Sequence, residues 1–190
     1  MAHSAQTDPA KPGFSISGLT SLPYLQAYSP QLRAQVLALL HKPDGVRNWL
    51  LERYPQAHQL RSDKALYAYV GEFKAAHLRK AGTLHSVSYD SKIHVVRNAL
   101  GLHTRKAVVQ GGRLNARHEI RIASMFKHAP EAFLRMIVVH ELAHLRIADH
   151  DKTFYDLCCH MTPDYHQLEL DVRVYLSYLD GGGARLWQSQ

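Results

Sequence analysis

The sequence predicts an α+β protein in which a small, mostly antiparallel sheet packs against helices. Apolar residues recur at helical spacing before about residue 80 and after about residue 130, whereas the segment between them alternates apolar and polar residues. Helices on both sides of a short β segment favour α+β over α/β architecture. The 190 residues are enough for one domain with its own core.

Capping residues mark the first helices. Ser29 stands before Pro30, and a capping serine followed by a first-turn proline predicts that a helix begins there. A short helix is expected around residues 45–53. Ser62 or Asp63 begins a longer helix, and Gly82 follows its end. These segments predict a helical first part of the domain.

In the middle of the chain the spacing of apolar residues changes from a helical pattern to a strand-like one. Residues 87–96 are β-like, with Asp90-Ser91 as a turn. Two further strands, at about 105–110 and 114–123, flank Gly111-Gly112, and such a glycine pair is typical of a hairpin turn. The sequence therefore predicts three or four short strands between the helical segments.

Helical signals return after the strands. Pro130 and Glu131 open the segment EAFLRMIVVHELAHLRI, Asp151 can cap a short helix, and Pro163 begins a last one. Residues 1–21 and 181–190 are rich in small and polar residues. They are expected to be flexible tails on either side of a domain at 22–180.

A metal-binding pattern lies within the helix after the sheet. The segment His140-Glu141-Leu142-Ala143-His144 is an HExxH motif. Helical residues four apart share a face at about 5–6 Å, so both imidazoles can bind one tetrahedral cation such as zinc. Glu141 can sit beside that cation and take a proton from the attacking water. The alternative is a helix with two ordinary histidines, which would each need a hydrogen-bond partner if buried.

A catalytic zinc commonly takes three protein ligands, and two other histidines are candidates for the third. His150 follows His144 by six residues, and the short loop Ala148-Asp149 can return it to the metal. His160 lies on the next predicted helix, so its reach is poorer. Ile147 stands where metzincins, which share the six-residue spacing, have a turn glycine, and this argues against a metzincin. The prediction is one Zn²⁺ per chain, held by His140, His144 and His150.

The segment MIVVHELAHLRIADHDKTFYDLCCHMTPDY resembles the YgjP-like metallopeptidase-domain family. Upstream segments, among them SDKALYAY and YDSKIHVVRNALGLHT, extend the resemblance to about residues 22–180. The resemblance implies a zincin-like metal-dependent hydrolase, with Glu141 at the catalytic position and the three histidines at the metal positions. Leu100-Gly101-Leu102-His103 occupies the place of a Trp-Gly-x-Cys segment that often precedes the final strands in this family.

Three functions remain open at the level of sequence. The first is a metallopeptidase that pairs an extended peptide to a sheet edge near the strand at 114–123. The second, also associated with the resemblance, is a nucleoside triphosphate (UTP) pyrophosphatase, which suits the basic hairpin Arg105, Lys106, Arg113, Arg117 and Arg121. The third is a metal-stabilised nucleic-acid-binding module, in which Glu141 has no role. Candidates for stabilising an oxyanion are Tyr155, Tyr165, His160 and Arg146.

Composition limits the partners and the compartment. The net charge of +7 favours an anionic partner. No apolar stretch approaches the roughly 18 residues of a membrane span, so no membrane partner is expected. The N-terminal segment lacks the apolar core of a secretory signal. The two cysteines, Cys158 and Cys159, are adjacent and poorly placed for a disulfide, so the prediction is a cytoplasmic protein.

Overall fold

The computed structural model of the chain describes residues 21–93, 101–110 and 113–187. Six α-helices and three strands make up most of this part of the chain, with 3₁₀ turns at Pro23–Leu25 and Ser124–His128. In chain order the elements are α1 (Pro30–His41), α2 (Gly45–Arg53), α3 (Asp63–His77), β1 (Leu84–Asp90), β2 (Gly101–Gln110), β3 (Arg113–Ala123), α4 (Glu131–Ala143), α5 (Lys152–Met161) and α6 (Tyr165–Asp180). The predicted α+β class is confirmed.

Side-chain caps begin three of the helices where the sequence predicts them. Ser29, Ser62 and Asp151 each accept a hydrogen bond from the backbone N–H three residues on, at 3.2, 3.2 and 2.9 Å. The helix predicted to run to Ile147 ends earlier. Helix α4 stops at Ala143, and the chain then turns tightly so that the Ile147 N–H bonds the Ala143 carbonyl at 3.0 Å.

The three strands form one mixed sheet in the order β1-β3-β2. Strands β2 and β3 pair antiparallel, as predicted, whereas β1 pairs parallel to β3. The prediction of a mostly antiparallel sheet is therefore wrong for one of the two pairs. Alternation with a period of two is the same in both directions, so the sequence pattern cannot set the direction of β1. The predicted turn at Gly111-Gly112 lies outside the described residues.

The sheet has one apolar and one polar face. Ile120 and Ile122 of β3 are fully buried on the face that contacts the helices. The alternating residues Arg117, Glu119 and Arg121 lie on the opposite face and are half-buried. There the Arg121 guanidinium donates to the Asp90 carboxylate at 2.9 Å. Only the apolar face therefore faces α4 and the HExxH motif.

The predicted C-terminal tail contains a residue of the core. Trp187 is 5% exposed, and its indole N–H donates to the Tyr54 carbonyl at 2.7 Å. Its ring packs edge-on against Phe133 of α4 and Tyr175 of α6, at 5.4 and 5.0 Å between centroids. The expectation of an unpacked tail is therefore wrong up to residue 187, because a large aromatic side chain follows the glycines.

The N-terminal segment, the length of the helices and the two cysteines bear on the remaining predictions. The predicted N-terminal tail, residues 1–21, lies outside the described residues except for Ser21. Among the described helices, none combines the length and the apolar character that crossing a bilayer requires. Both cysteines are free thiols, and burial raises the pKa of Cys158 to about 12.

Candidate metal centre

The end of α4 and the start of α5 bring the three predicted histidine ligands together. His140 lies in the last turn of α4, His144 is the residue that caps this helix, and His150 follows in the loop to α5. One ring nitrogen from each of the three lies within 4.8 Å of the other two. The Nε2 atoms of His140 and His150 are 3.0 Å apart. The short loop before α5 returns His150 to the first two histidines as predicted, and His160 is not part of the cluster.

Two of the rings are oriented by hydrogen bonds on their second nitrogen. The Nδ1–H of His144 donates to the Ile147 carbonyl at 3.0 Å, which leaves Nε2 with its lone pair toward the cluster. The Nδ1 atom of His140 is 2.8 Å from the Tyr165 hydroxyl, so its Nε2 also faces the cluster. The Ile147 carbonyl can only accept, so it fixes the tautomer of His144, and both partners fix the direction of their rings. The donor set therefore suits one cation.

A buried aromatic side chain packs against all three histidines of the cluster. Phe154, in the first turn of α5, is fully buried, and its ring lies 5.0, 4.7 and 4.7 Å from the rings of His140, His144 and His150. The three histidine rings therefore pack between the Phe154 ring and the turn after α4. His150 is the exposed member, so the cluster opens to solvent on its side.

Burial favours the neutral form of His140 and His144, which is the form that binds a metal. Burial, together with the smaller effects of the neighbouring His144 and His150, lowers the pKa of His140 to about 3. Burial also lowers the pKa of His144. An imidazole that stays unprotonated offers its lone pair without first releasing a proton.

Glu141 is buried between α4 and the edge strand β2. Its side chain is 3% exposed, and burial raises its pKa to about 8. The backbone N–H of His103 donates a hydrogen bond to this carboxylate, which opposes the effect of burial. A Cβ atom on Gly101 would lie 2.5 Å from Glu141 Oε1, so only glycine allows β2 to come this close. The HExxH motif alone gives no sign of these contacts, although the sequence places Gly101 and His103 in one segment.

The residues predicted to stabilise an oxyanion lie at different positions relative to the histidine cluster. Tyr165 is fully buried behind His140, where its hydroxyl contacts the ring nitrogen that faces away from the cluster. His160 is exposed, and its ring lies 6.0 Å from His77 of α3. Tyr155 is half-buried and packs edge-on against Phe154. Tyr165 therefore contacts a histidine of the cluster from its buried side, and Arg146, the fourth candidate, is exposed in the turn after α4.

Two basic residues of the hairpin, Arg117 and Arg121, are less suited to phosphate binding at this centre than the sequence suggested. Arg117 and Arg121 lie on the polar face of the sheet, opposite to the face that contacts α4. Arg121 is already paired with Asp90. A triphosphate at the histidine cluster would lie across the sheet from both side chains.

Comparison with known proteins identifies the family. Residues 48–173 match the model of the YgjP-like metallopeptidase domain, and this range includes all four predicted site residues. The chain is 52% identical to the UTP pyrophosphatase of Escherichia coli (strain K12) over 164 residues, which cover 86% of this chain and 98% of that protein. No solved structure matches the chain. The chain therefore belongs to the YgjP-like metallopeptidase-domain family, and it is a hydrolase.

Proposed function

We propose that this protein is a zincin-like hydrolase in which His140, His144 and His150 hold one zinc ion and Glu141 is the general base. The observation that carries the proposal is the convergence of three imidazole nitrogens within 4.8 Å beside a buried carboxylate. Three imidazoles suit zinc better than magnesium, which prefers oxygen ligands. When bound, zinc lowers the pKa of a water molecule and favours the ionised form of a neighbouring carboxyl group.

The chain's own residues prepare the rest of the chemistry. Glu141 accepts the proton of the attacking water and can return it to the leaving group. Its carboxylate is held by the His103 N–H at the point where β2 meets α4. Tyr165 and the Ile147 carbonyl keep two histidine rings in the geometry that a metal requires.

The substrate that we propose first is a nucleoside triphosphate such as UTP, cleaved to release pyrophosphate. Support comes from the relative named UTP pyrophosphatase, which is 52% identical to this chain and matched over 98% of its length. The net charge of +7 also favours an anionic substrate. The basic side chains that hold the phosphates are expected outside the pair Arg117 and Arg121, because both lie on the opposite face of the sheet.

Peptide hydrolysis is the second candidate, and the position of β2 favours it. Strand β3 is paired with β2 on one side and, from His118 to Ala123, with β1 on the other, so most of the peptide-binding edge predicted near residues 114–123 is not available. Strand β2 is paired to β3 and lies at an edge of the three-stranded sheet, next to Glu141. An extended peptide could add to that edge with its scissile bond near the histidine cluster. The nucleic-acid-binding alternative has less support, because the family and the relative are hydrolytic.

The test compares substrates on protein of known zinc content. Wild-type protein is incubated with UTP and, separately, with a mixture of unstructured peptides, and the release of pyrophosphate and of new amino termini is measured. Glu141→Gln should keep its zinc and its fold and lose about 10²–10⁴-fold in turnover, because an amide of the same shape cannot accept a proton. The double variant Arg117→Ala/Arg121→Ala is the control and should retain turnover.

The outcomes separate the proposals. Pyrophosphate release that depends on Glu141 supports the nucleotide substrate, and peptide cleavage with the same dependence supports the second candidate. Wild-type turnover of either substrate by Glu141→Gln at full zinc occupancy would contradict the proposed general base. Loss of turnover in the arginine variant would contradict the placement of the phosphates away from the polar face.

A further inference from the structure

Glu141 is fixed by the main chain of β2 as well as by its own helix. The His103 N–H bonds its carboxylate, and the Cα of Gly101 lies against the same group. Strand β2 is at the edge of the three-stranded sheet and pairs with β3. Edge strands open more readily than central ones because fewer contacts hold them. The position of the general base therefore depends on how firmly β2 is attached.

A pair of imidazole rings provides such an attachment. His103 Nε2 is 2.8 Å from His118 Nδ1, so one ring donates a hydrogen bond to the other. The rings are stacked, with centroids 5.0 Å apart and an angle of 17° between their planes. The bond joins β2 to β3 through side chains, in addition to the backbone ladder.

His118 is itself anchored in the domain. The residue is buried, with 5% of its surface exposed. The far edge of its ring packs against Gly82 in the loop before β1, where a Cβ atom would lie 2.4 Å from His118 Nε2. The contacts therefore form a continuous series from the loop before β1, through both rings, to the amide that bonds Glu141.

We propose that the His103–His118 pair is a positioning device for the general base: it holds the edge strand so that the His103 amide and Gly101 stay against the Glu141 carboxylate. This inference rests on the proposed hydrolase function. His103 and His118 are positioning residues, since they act through β2 and Glu141. A displacement of about 1 Å at a catalytic group can cost about 10²-fold in rate, so loss of the pair should lower kcat more than it changes KM.

Isosteric substitutions test the bond between the rings. The amide nitrogen of glutamine occupies the place of Nε2, and that of asparagine the place of Nδ1. His103→Gln and His118→Asn should therefore keep the bond and recover most of kcat for UTP, whereas His103→Leu and His118→Leu should lose about tenfold to hundredfold. Zinc content should stay at the wild-type level in all four variants. Thr104→Val, on the same strand with its side chain on the other face, is the control and should not change kcat.

A second measurement does not depend on the substrate. In zinc-loaded protein, amide hydrogen exchange across residues 101–110 should be about tenfold faster in both leucine variants and near the wild-type rate in His103→Gln, His118→Asn and Thr104→Val. If wild-type protein does not hydrolyse UTP, the proposed substrate fails while this measurement still tests the pair. Leucine variants with wild-type exchange in β2, loss of zinc in those variants, or no recovery by the isosteric variants would overturn the proposal.

Discussion

Replacing Glu141 by glutamine should stabilise the metal-free protein, and by more as the pH rises. The folded protein holds this carboxyl group with a pKa of about 8, against an ordinary value of 4.5. Between these values the folded state binds a proton that the unfolded state has lost, so raising the pH weakens the wild-type fold. Glutamine carries no such proton, and every other titrating group is common to both proteins. The difference in unfolding free energy therefore isolates Glu141.

The magnitude follows from the pKa difference. One pKa unit corresponds to about 1.4 kcal/mol. Relative to low pH, where the carboxyl group is protonated in both states, the unfolding free energy of Glu141→Gln should gain on that of wild type by about 1 kcal/mol at pH 5, about 3 at pH 7 and about 5 at pH 9. Above the folded pKa the difference levels off, because the carboxyl group is then ionised in both states. A constant contribution from burying the amide adds to every value and leaves the slope unchanged.

Urea unfolding of chelator-stripped protein between pH 5 and pH 9, followed by circular dichroism, measures this slope. Glu72→Gln, at an exposed position on α3, is the matched control and should show no comparable trend. Adding zinc should reduce the slope for wild-type protein, since a nearby cation favours the carboxylate. A difference between Glu141→Gln and wild type that stays flat across the pH range would refute the burial of a neutral carboxyl group.

Three further predictions concern the cluster and the core. Elemental analysis should find no stoichiometric zinc in His140→Ala and less than one equivalent in His150→Ala, but full zinc in His160→Ala; loss of zinc in the last variant would add His160 to the site. Tyr165→Phe should weaken zinc binding about tenfold to hundredfold in chelator competition, and an unchanged affinity would contradict its support of His140. Trp187→Ala should cost about 3–5 kcal/mol in urea unfolding, whereas a cost near zero would restore the predicted tail.

The local features of the fold were predictable because they depend on near neighbours in sequence. Ser29, Ser62 and Asp151 cap their helices through a bond that spans three residues, so the chemistry of the cap is visible in the sequence. The direction of β1 and the packing of Trp187 depend on partners far along the chain. Neither a period of two nor a terminal run of glycines contains that information.

One part of the candidate site was likewise predictable from the sequence, and another part was not. Helical spacing and a short loop place His140, His144 and His150 together, and the structure brings them within 4.8 Å. That they bind zinc stays a prediction. The contacts of Glu141 with β2 were not predictable from the motif, because they join an α-helix to a strand some forty residues earlier. A glycine in that strand is a signal only when the register of the sheet is known.

The buried indole of Trp187 has a consequence for synthesis on the ribosome. Translation delivers the chain from its N-terminus at about 5–20 residues per second, and all four site residues emerge before Trp187. Until then Phe133 and the Tyr54 carbonyl lack the partner that covers them in the finished protein. A prematurely terminated product would contain the whole HExxH segment on an incompletely covered core, and exposed apolar surface of this kind is what chaperones and proteases recognise. Cellular quality control should therefore remove truncated copies before fragments that contain the histidine cluster accumulate.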